Sequence, residues 1–161
     1  MSNNSEFPYK HILIACSVGV ARSPMACYFL KDFFEKFRMD VEVAYGGVAS
    51  HARDNMLISM DAKMAMREIG IETSDTAMSK DLKKHGELIQ RADLILTLTQ
   101  KHKKEISRLP ESENKEVLTL KEFAGESGDI EDPSMKEIEG FRAVRDEIID
   151  CLMKGLNKYN I

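Results

Sequence analysis

Two rhythms of hydrophobic and polar positions take turns along this 161-residue chain. Short apolar runs recur at residues 12–15 (Ile12, Leu13, Ile14, Ala15), 41–45, 93–98 and 117–120. Runs of this length and composition read as buried strands of a parallel sheet. Between them the apolar period lengthens to that of a helix. Met25, Ala26, Phe29, Leu30, Phe33 and Phe37 predict a helix over about 23–37, with Cys27 as a small core residue. A second helix is predicted over about 55–69 and closed by Gly70; its Met56, Met60 and Met64 recur every fourth residue, which reads as core packing. Ser79 is expected to cap a helix running through Leu82, Leu88 and Ile89. Residues 99–109 form the next, whose Lys101, His102, Lys103 and Lys104 read as a solvated face. A short helical turn at 121–124 and a final helix over about 135–156, striped by Phe141, Val144, Ile148, Leu152 and Leu156, complete the pattern. Strands alternating with helices in this way predict an α/β fold: a parallel sheet with helices on both faces. Polar residues 1–9 are expected to be a flexible tail, and 10–161 a single domain.

Composition narrows the function classes. The net charge is −4, which argues against a broad nucleic-acid footprint. The first ten residues, MSNNSEFPYK, lack the apolar core of a signal peptide, and no run approaches membrane-spanning length, so no membrane partner is expected. Cys16, Cys27 and Cys151 are an odd number at wide spacing, neither a disulfide framework nor a zinc pattern. A reducing, cytoplasmic setting fits these features.

The chemistry concentrates between the first strand and the first helix. The loop is Cys16, Ser17, Val18, Gly19, Val20, Ala21 and Arg22, followed by Ser23 as the expected helix cap and Pro24 as the expected first helical residue. A loop that enters a helix N-terminus turns several backbone N–H groups toward one spot and makes an anion site. Cys16 opens this loop and Arg22 closes it. A thiol beside a helix N-terminus and a guanidinium is expected as a thiolate near neutral pH. The Arg22 fork matches two phosphate oxygens, and the Ser23 hydroxyl is within sequence reach of the sulfur. Together these residues point to attack by a thiolate on a bound phosphate ester. The loop at 47–55, with His51 and Arg53, reads as solvated.

Release of an ester oxygen needs a proton. The acidic stretch Gly125 to Ser134 (GESGDIEDPS) contains Asp132 followed by Pro133, and the proline holds the preceding residue extended. Asp132 is therefore the candidate general acid, with an ordinary Asp-Pro turn as the alternative.

These residues resemble the low-molecular-weight protein tyrosine phosphatases of bacterial type, over nearly the whole chain after residue 10. The family loop Cys-x-Gly-Asn-x-Cys-Arg-Ser-Pro-Met-Ala is matched by Cys16-Ser17-Val18-Gly19-Val20-Ala21-Arg22-Ser23-Pro24-Met25-Ala26. ADLILTLT at 92–99 with Lys101-His102-Lys103, TLKEF at 119–123 and DIEDP at 129–133 follow in the family's order. The resemblance implies a flavodoxin-like sheet of four parallel strands. It also implies Cys16 as nucleophile, Arg22 as phosphate clamp, Ser23 as thiolate stabiliser, Asp132 as general acid, and no metal or organic cofactor.

The loop departs from the family. Gly19 stands for its Asn and Val18 for its Gly, so a position needing positive φ would strain Val18. Tyr45-Gly46-Gly47 replaces Ser-Ala-Gly after the second strand, which removes the serine that supports the loop Asn. Ala21 replaces a second cysteine, so a disulfide with Cys16 cannot form there. Ser134 and Met135 follow Asp132-Pro133 where the family carries an aromatic flank. The expected function is a cysteine-dependent phosphomonoesterase acting on phosphorylated protein, with phosphotyrosine first. Phosphate and other oxyanions are expected ligands of residues 17–23. A catalytically weak phosphate-binding or regulatory module stays open as an alternative. So do a protein arginine phosphatase, although Val20 lacks the hydroxyl of the Thr found there, and an arsenate reductase.

Overall fold

The computed structural model describes residues 7–161. A strand β1 (His11–Cys16) leads to helix α1 (Arg22–Lys36) and strand β2 (Glu42–Gly47). Helices α2 (Met60–Arg67) and α3 (Gly86–Arg91) precede strand β3 (Leu94–Thr97) and helix α4 (Gln100–Ser107). After a single 3-10 turn (Pro110–Ser112) come strand β4 (Val117–Thr119), helix α5 (Leu120–Phe123) and the long helix α6 (Glu137–Asn157). The strands form one parallel sheet in the order β2-β1-β3-β4. The fold expected from the sequence is therefore present, and β1 lies inside the sheet.

Period-two alternation in β1 and β3 divides the core. Ile12, Ile14, Cys16, Leu94 and Leu96 face the larger cluster, with Met25, Leu30, Phe34, Phe141, Ile148 and Leu152. Leu13, Ala15 and Ile95 face a smaller cluster with Leu82, Ile89 and Ile106. Side chains on both faces are thus buried, as near-continuous apolar strands require. No helix among the described residues is long and apolar enough to cross a membrane.

Four expectations change. Residues 1–6 of the expected tail lie outside the described residues, but Phe7 and Tyr9 are buried. The Phe7 ring sits 5.5 Å from Phe34 and 5.3 Å from Tyr159, and the Tyr9 hydroxyl donates to Glu116 at 2.7 Å. The helix expected from 55 begins at Met60, because Leu57 pairs with Met78 and the Met56 N–H donates to Ser79 Oγ. Ser79 is thereby occupied in a loop and caps no helix. The methionine stripe faces outward: Met60 is 67% and Met64 45% exposed, whereas Ala62, Ala65 and Met66 are buried. Small residues on the inner face let Arg145 of α6 reach over α2 and donate to Ala65 O at 2.8 Å.

The corner between β4 and α5 is fixed by a reciprocal cap. Thr119 Oγ1 accepts from the Glu122 N–H at 3.0 Å, and the Glu122 carboxylate accepts from the Thr119 N–H at 2.9 Å. Lys103 of α4 donates to the same carboxylate at 2.8 Å. The Lys103 hydrogen bond first, and the Thr119 N–H second, hold Glu122 down at about 2. Because the folded value is depressed, this stabilisation is full above the ordinary carboxylate value of 4.5 and fades as pH falls toward about 2. Glu122→Ala is expected to lower the unfolding free energy by about 1 kcal/mol at neutral pH. In urea titrations the gap between the two proteins should close as pH falls from 4.5 toward about 2. An unchanged gap across that window would contradict the assignment.

Candidate active site

Cys16 is the last residue of β1 and Arg22 the first of α1, so the intervening loop lies at the carboxyl edge of the sheet, where ligands bind in open α/β folds. Cys16, Ser17, Val18, Gly19, Val20, Ala21 and Arg22 line one pocket, together with Asp132 and Ser134. The sequence-predicted residues are thus brought together across more than a hundred positions of chain. Neighbours take up the loop's carbonyl oxygens. Cys16 O accepts from Val48 N, Ser17 O from Ala49 N and Val20 O from Ser59 N, at 2.9, 3.0 and 2.8 Å. With these carbonyls held away, the loop N–H groups are left for an anion.

The departures of the loop are resolved by direct contact between backbones. The left-handed step falls at Gly19, with φ +88°, and Val18 keeps a negative φ, so the strain expected at Val18 is absent. A Cβ on Gly19 would stand 2.9 Å from Gly47 N and 3.0 Å from Gly46 C. A Cβ on Gly47 would stand 2.5 Å from the Val18 carbonyl carbon and oxygen. The loop therefore rests on the end of β2 without intervening side chains. Gly47 itself is pinned, donating to Lys80 O and accepting from Leu82 N, each at 2.9 Å.

Ser23 differs in placement from expectation. The helix begins two residues earlier, at Arg22 in place of Pro24, with Ala21 at the cap position and no side-chain cap. Ser23 is fully buried beneath the sulfur: the Cys16 thiol donates to Ser23 Oγ at 3.1 Å, and the Ser23 hydroxyl donates to Gly46 O at 3.4 Å. Pro24 then falls within the first turn, where its missing N–H removes no helical bond.

Arg22 is buried and joins the loop to the acidic segment. Its Nη1 donates to Ile130 O at 2.9 Å and its Nη2 to Ser17 Oγ at 3.4 Å. Ile130 is buried, and its N–H donates to Leu98 O at 2.9 Å, which anchors the segment to the end of β3. Two residues later Asp132 is exposed at the pocket mouth. Its Oδ1 accepts from the Ser134 N–H at 3.0 Å and the Ser134 hydroxyl at 2.5 Å. His51 and Arg53 are exposed, as a solvated loop predicts.

His102 was missed as a site residue. Its lysine neighbours suggested a solvated face, yet it is only 2% exposed and its Nε2 lies 2.7 Å from Ser17 Oγ. Thr99, at the N-cap of α4, accepts from the His102 N–H, and Ile106 one turn on shares the buried face. That spacing of His102 and Ile106 was the available signal. Burial first, and the Arg22 charge second, push the imidazole down to about 4, so it is neutral at ordinary pH.

A loop joining strand to helix around Cys16 and Arg22, faced by an Asp-Pro segment on a four-stranded parallel sheet, defines a phosphatase class. The family model described as low molecular weight phosphotyrosine protein phosphatase matches residues 11–159, and the chain belongs to that family. It is 41% identical over 154 residues to a protein-arginine-phosphatase of Geobacillus stearothermophilus, covering 92% of this chain and 97% of that protein. The solved YwlE arginine phosphatase from the same organism superposes with a TM-score of 0.81 at 39% identity, covering 95% of this chain and 94% of that one. A cysteine-to-serine mutant of YwlE arginine phosphatase with a phosphorylated active-site serine gives 0.82 at 31% identity, covering 93% and 95%.

Gly47→Ala should force the Val18 carbonyl aside and spoil the anion cradle. Loss of one well-made hydrogen bond to an anion corresponds to about ten-fold or more in affinity. Vanadate binding by the variant, measured by calorimetry, should weaken by at least about that factor while the circular dichroism of the fold persists. Unchanged vanadate affinity would show that the loop does not depend on this contact.

Proposed function

We propose that this chain is a cysteine-dependent phosphomonoesterase acting on phosphorylated protein, with residues 10–161 as one catalytic unit. The observation that carries this reading is the convergence of Cys16, Arg22 and Asp132 on one pocket. The phosphoryl oxygens occupy the loop, held by N–H groups of residues 17–23 and by the Arg22 guanidinium. Cys16 attacks phosphorus as its thiolate; the Ser23 hydroxyl, 3.1 Å away, turns to donate to the sulfur once the thiol proton is gone. The bond from phosphorus to the leaving atom breaks on the opposite side, and Asp132 gives that atom its proton. Water then attacks phosphorus, its proton passing to Asp132; the phosphorus–sulfur bond breaks, which frees orthophosphate and returns Cys16 as its thiolate. The YwlE mutant with a phosphorylated active-site serine supports a covalent route of this kind.

Phosphotyrosine is the first substrate reading, from the family. A second, phosphoarginine, is favoured by a specific observation: the 41%-identical relative is a protein-arginine-phosphatase. Ser134 and the 94%-exposed Met135 also offer no aromatic flank for a tyrosyl ring. Against it stands Val20, without a hydroxyl. All three cysteines are free, which supports a reducing, cytoplasmic setting.

Wild-type protein is expected to hydrolyse p-nitrophenyl phosphate, and Cys16→Ser to fall to background. Asp132→Ala should lower kcat on phosphotyrosine peptide by about 10²–10⁴-fold and flatten the alkaline limb of the pH profile. Turnover that survives Cys16→Ser would overturn the reading. Parallel kcat/KM values on phosphotyrosine and phosphoarginine peptides decide between the two substrates.

A further inference from the structure

We infer that His102 is a positioning residue for the phosphate loop: its Nε2–H donates to Ser17 Oγ and thereby directs the Ser17 hydroxyl proton at the bound oxyanion. This rests on the proposed oxyanion-binding role of the loop.

The argument is an accounting of donors and acceptors. A serine hydroxyl has one proton and two acceptor positions. Ser17 Oγ already receives Arg22 Nη2–H at 3.4 Å, and His102 Nε2 stands 2.7 Å away. If Nε2 carries the ring proton, both acceptor positions of Ser17 are filled. Its own proton must then point elsewhere, and Ser17 lines the pocket beside Cys16. In the opposite tautomer Ser17 would spend its proton on Nε2, and the ring proton would sit on Nδ1. Nδ1 is buried and has no hydrogen-bond partner. An orphaned buried N–H is rarer in folded proteins than an unfilled acceptor, so the network selects the Nε2–H form.

The surroundings keep that form in place. The Thr99 cap and buried Ile106 fix the ring's helix, and the ring itself is 2% exposed. Among the charged groups facing it, Arg22 and Lys101 disfavour a second proton, while Asp129 and Asp132 favour one. Burial adds to the first pair, and the imidazole remains neutral through the neutral pH range. A doubly protonated ring would also donate to Ser17, but it would add a buried positive charge beside Arg22. The neutral tautomer supplies the donor without that charge.

The test has one arm that needs no variant. Nitrogen-15 NMR of the full chain saturated with vanadate should show the His102 ring as the neutral Nε2–H tautomer at neutral pH. A proton on Nδ1, or a doubly protonated ring, would overturn the inference. The second arm compares His102→Leu, His102→Gln, Ser17→Ala and the Ser17→Ala/His102→Leu pair. Loss of one directed hydrogen bond to a charged group is expected to weaken vanadate affinity about ten-fold in His102→Leu and in Ser17→Ala. The pair should be no weaker than Ser17→Ala alone, and His102→Gln, whose amide N–H can replace the donor, should restore most of the affinity. Independent, multiplying losses in the pair would also overturn it. If wild-type protein binds vanadate but hydrolyses no phosphopeptide, the proposed enzymatic function fails while this arm still reads the role of His102.

Discussion

The site depends on how closely the loop from Cys16 to Arg22 can lie on the end of β2. The contact is backbone against backbone: Gly19 faces Gly46 and Gly47, and the Val18 carbonyl lies where a side chain on Gly47 would project. Packing of this closeness leaves no room for a methyl group on either side. The same contact explains why the loop tolerates its unusual composition. Gly19 supplies the left-handed step at φ +88° without a supporting side chain, and β2 supplies a flat glycine surface in place of one. Changes that look damaging one at a time are complementary in space.

Arg22 extends that local order to the far side of the pocket. It is buried, it holds Ser17 in the loop, and it holds Ile130 in the acidic segment. Ile130 is in turn bonded to the end of β3. Asp132, although exposed, is therefore only two residues from a fixed point. In the proposed reaction the Arg22 guanidinium would both meet the oxyanion and set the segment carrying Asp132, coupling binding to proton delivery. His102, Thr99 and the Glu122–Lys103 pair continue the support through α4 to the β4–α5 corner.

Much of this was legible in the sequence. The strands announced themselves as short apolar runs because both faces of the sheet are buried, and Cys16, Arg22 and Asp132 stood in recognisable local contexts. What escaped was decided by distant contacts. Met56, Met60 and Met64 have a helical period, but residues 55–58 are drawn into an extended segment by Met78 and Ser79, and the inner face of α2 uses Ala62 and Ala65 instead. Phe7 and Tyr9 look like part of a polar tail until Phe34 and Tyr159 are beside them. His102 is flanked by lysines in sequence, and its ring finds a partner only through the approach of Ser17, eighty-five positions away in the chain. The first residue of α1 also shifted by two, from Pro24 to Arg22, which turned Ser23 from a helix cap into the floor under the sulfur.

The most direct measurement is to mix the wild-type protein with p-nitrophenyl phosphate, quench within the first turnovers, and map the site of phosphorylation by peptide mass spectrometry. A phosphoryl group on Cys16, lost on further incubation without quench, is the predicted result. Turnover that proceeds while Cys16 remains unmodified would contradict the assignment of the rebuilt loop as the seat of covalent catalysis.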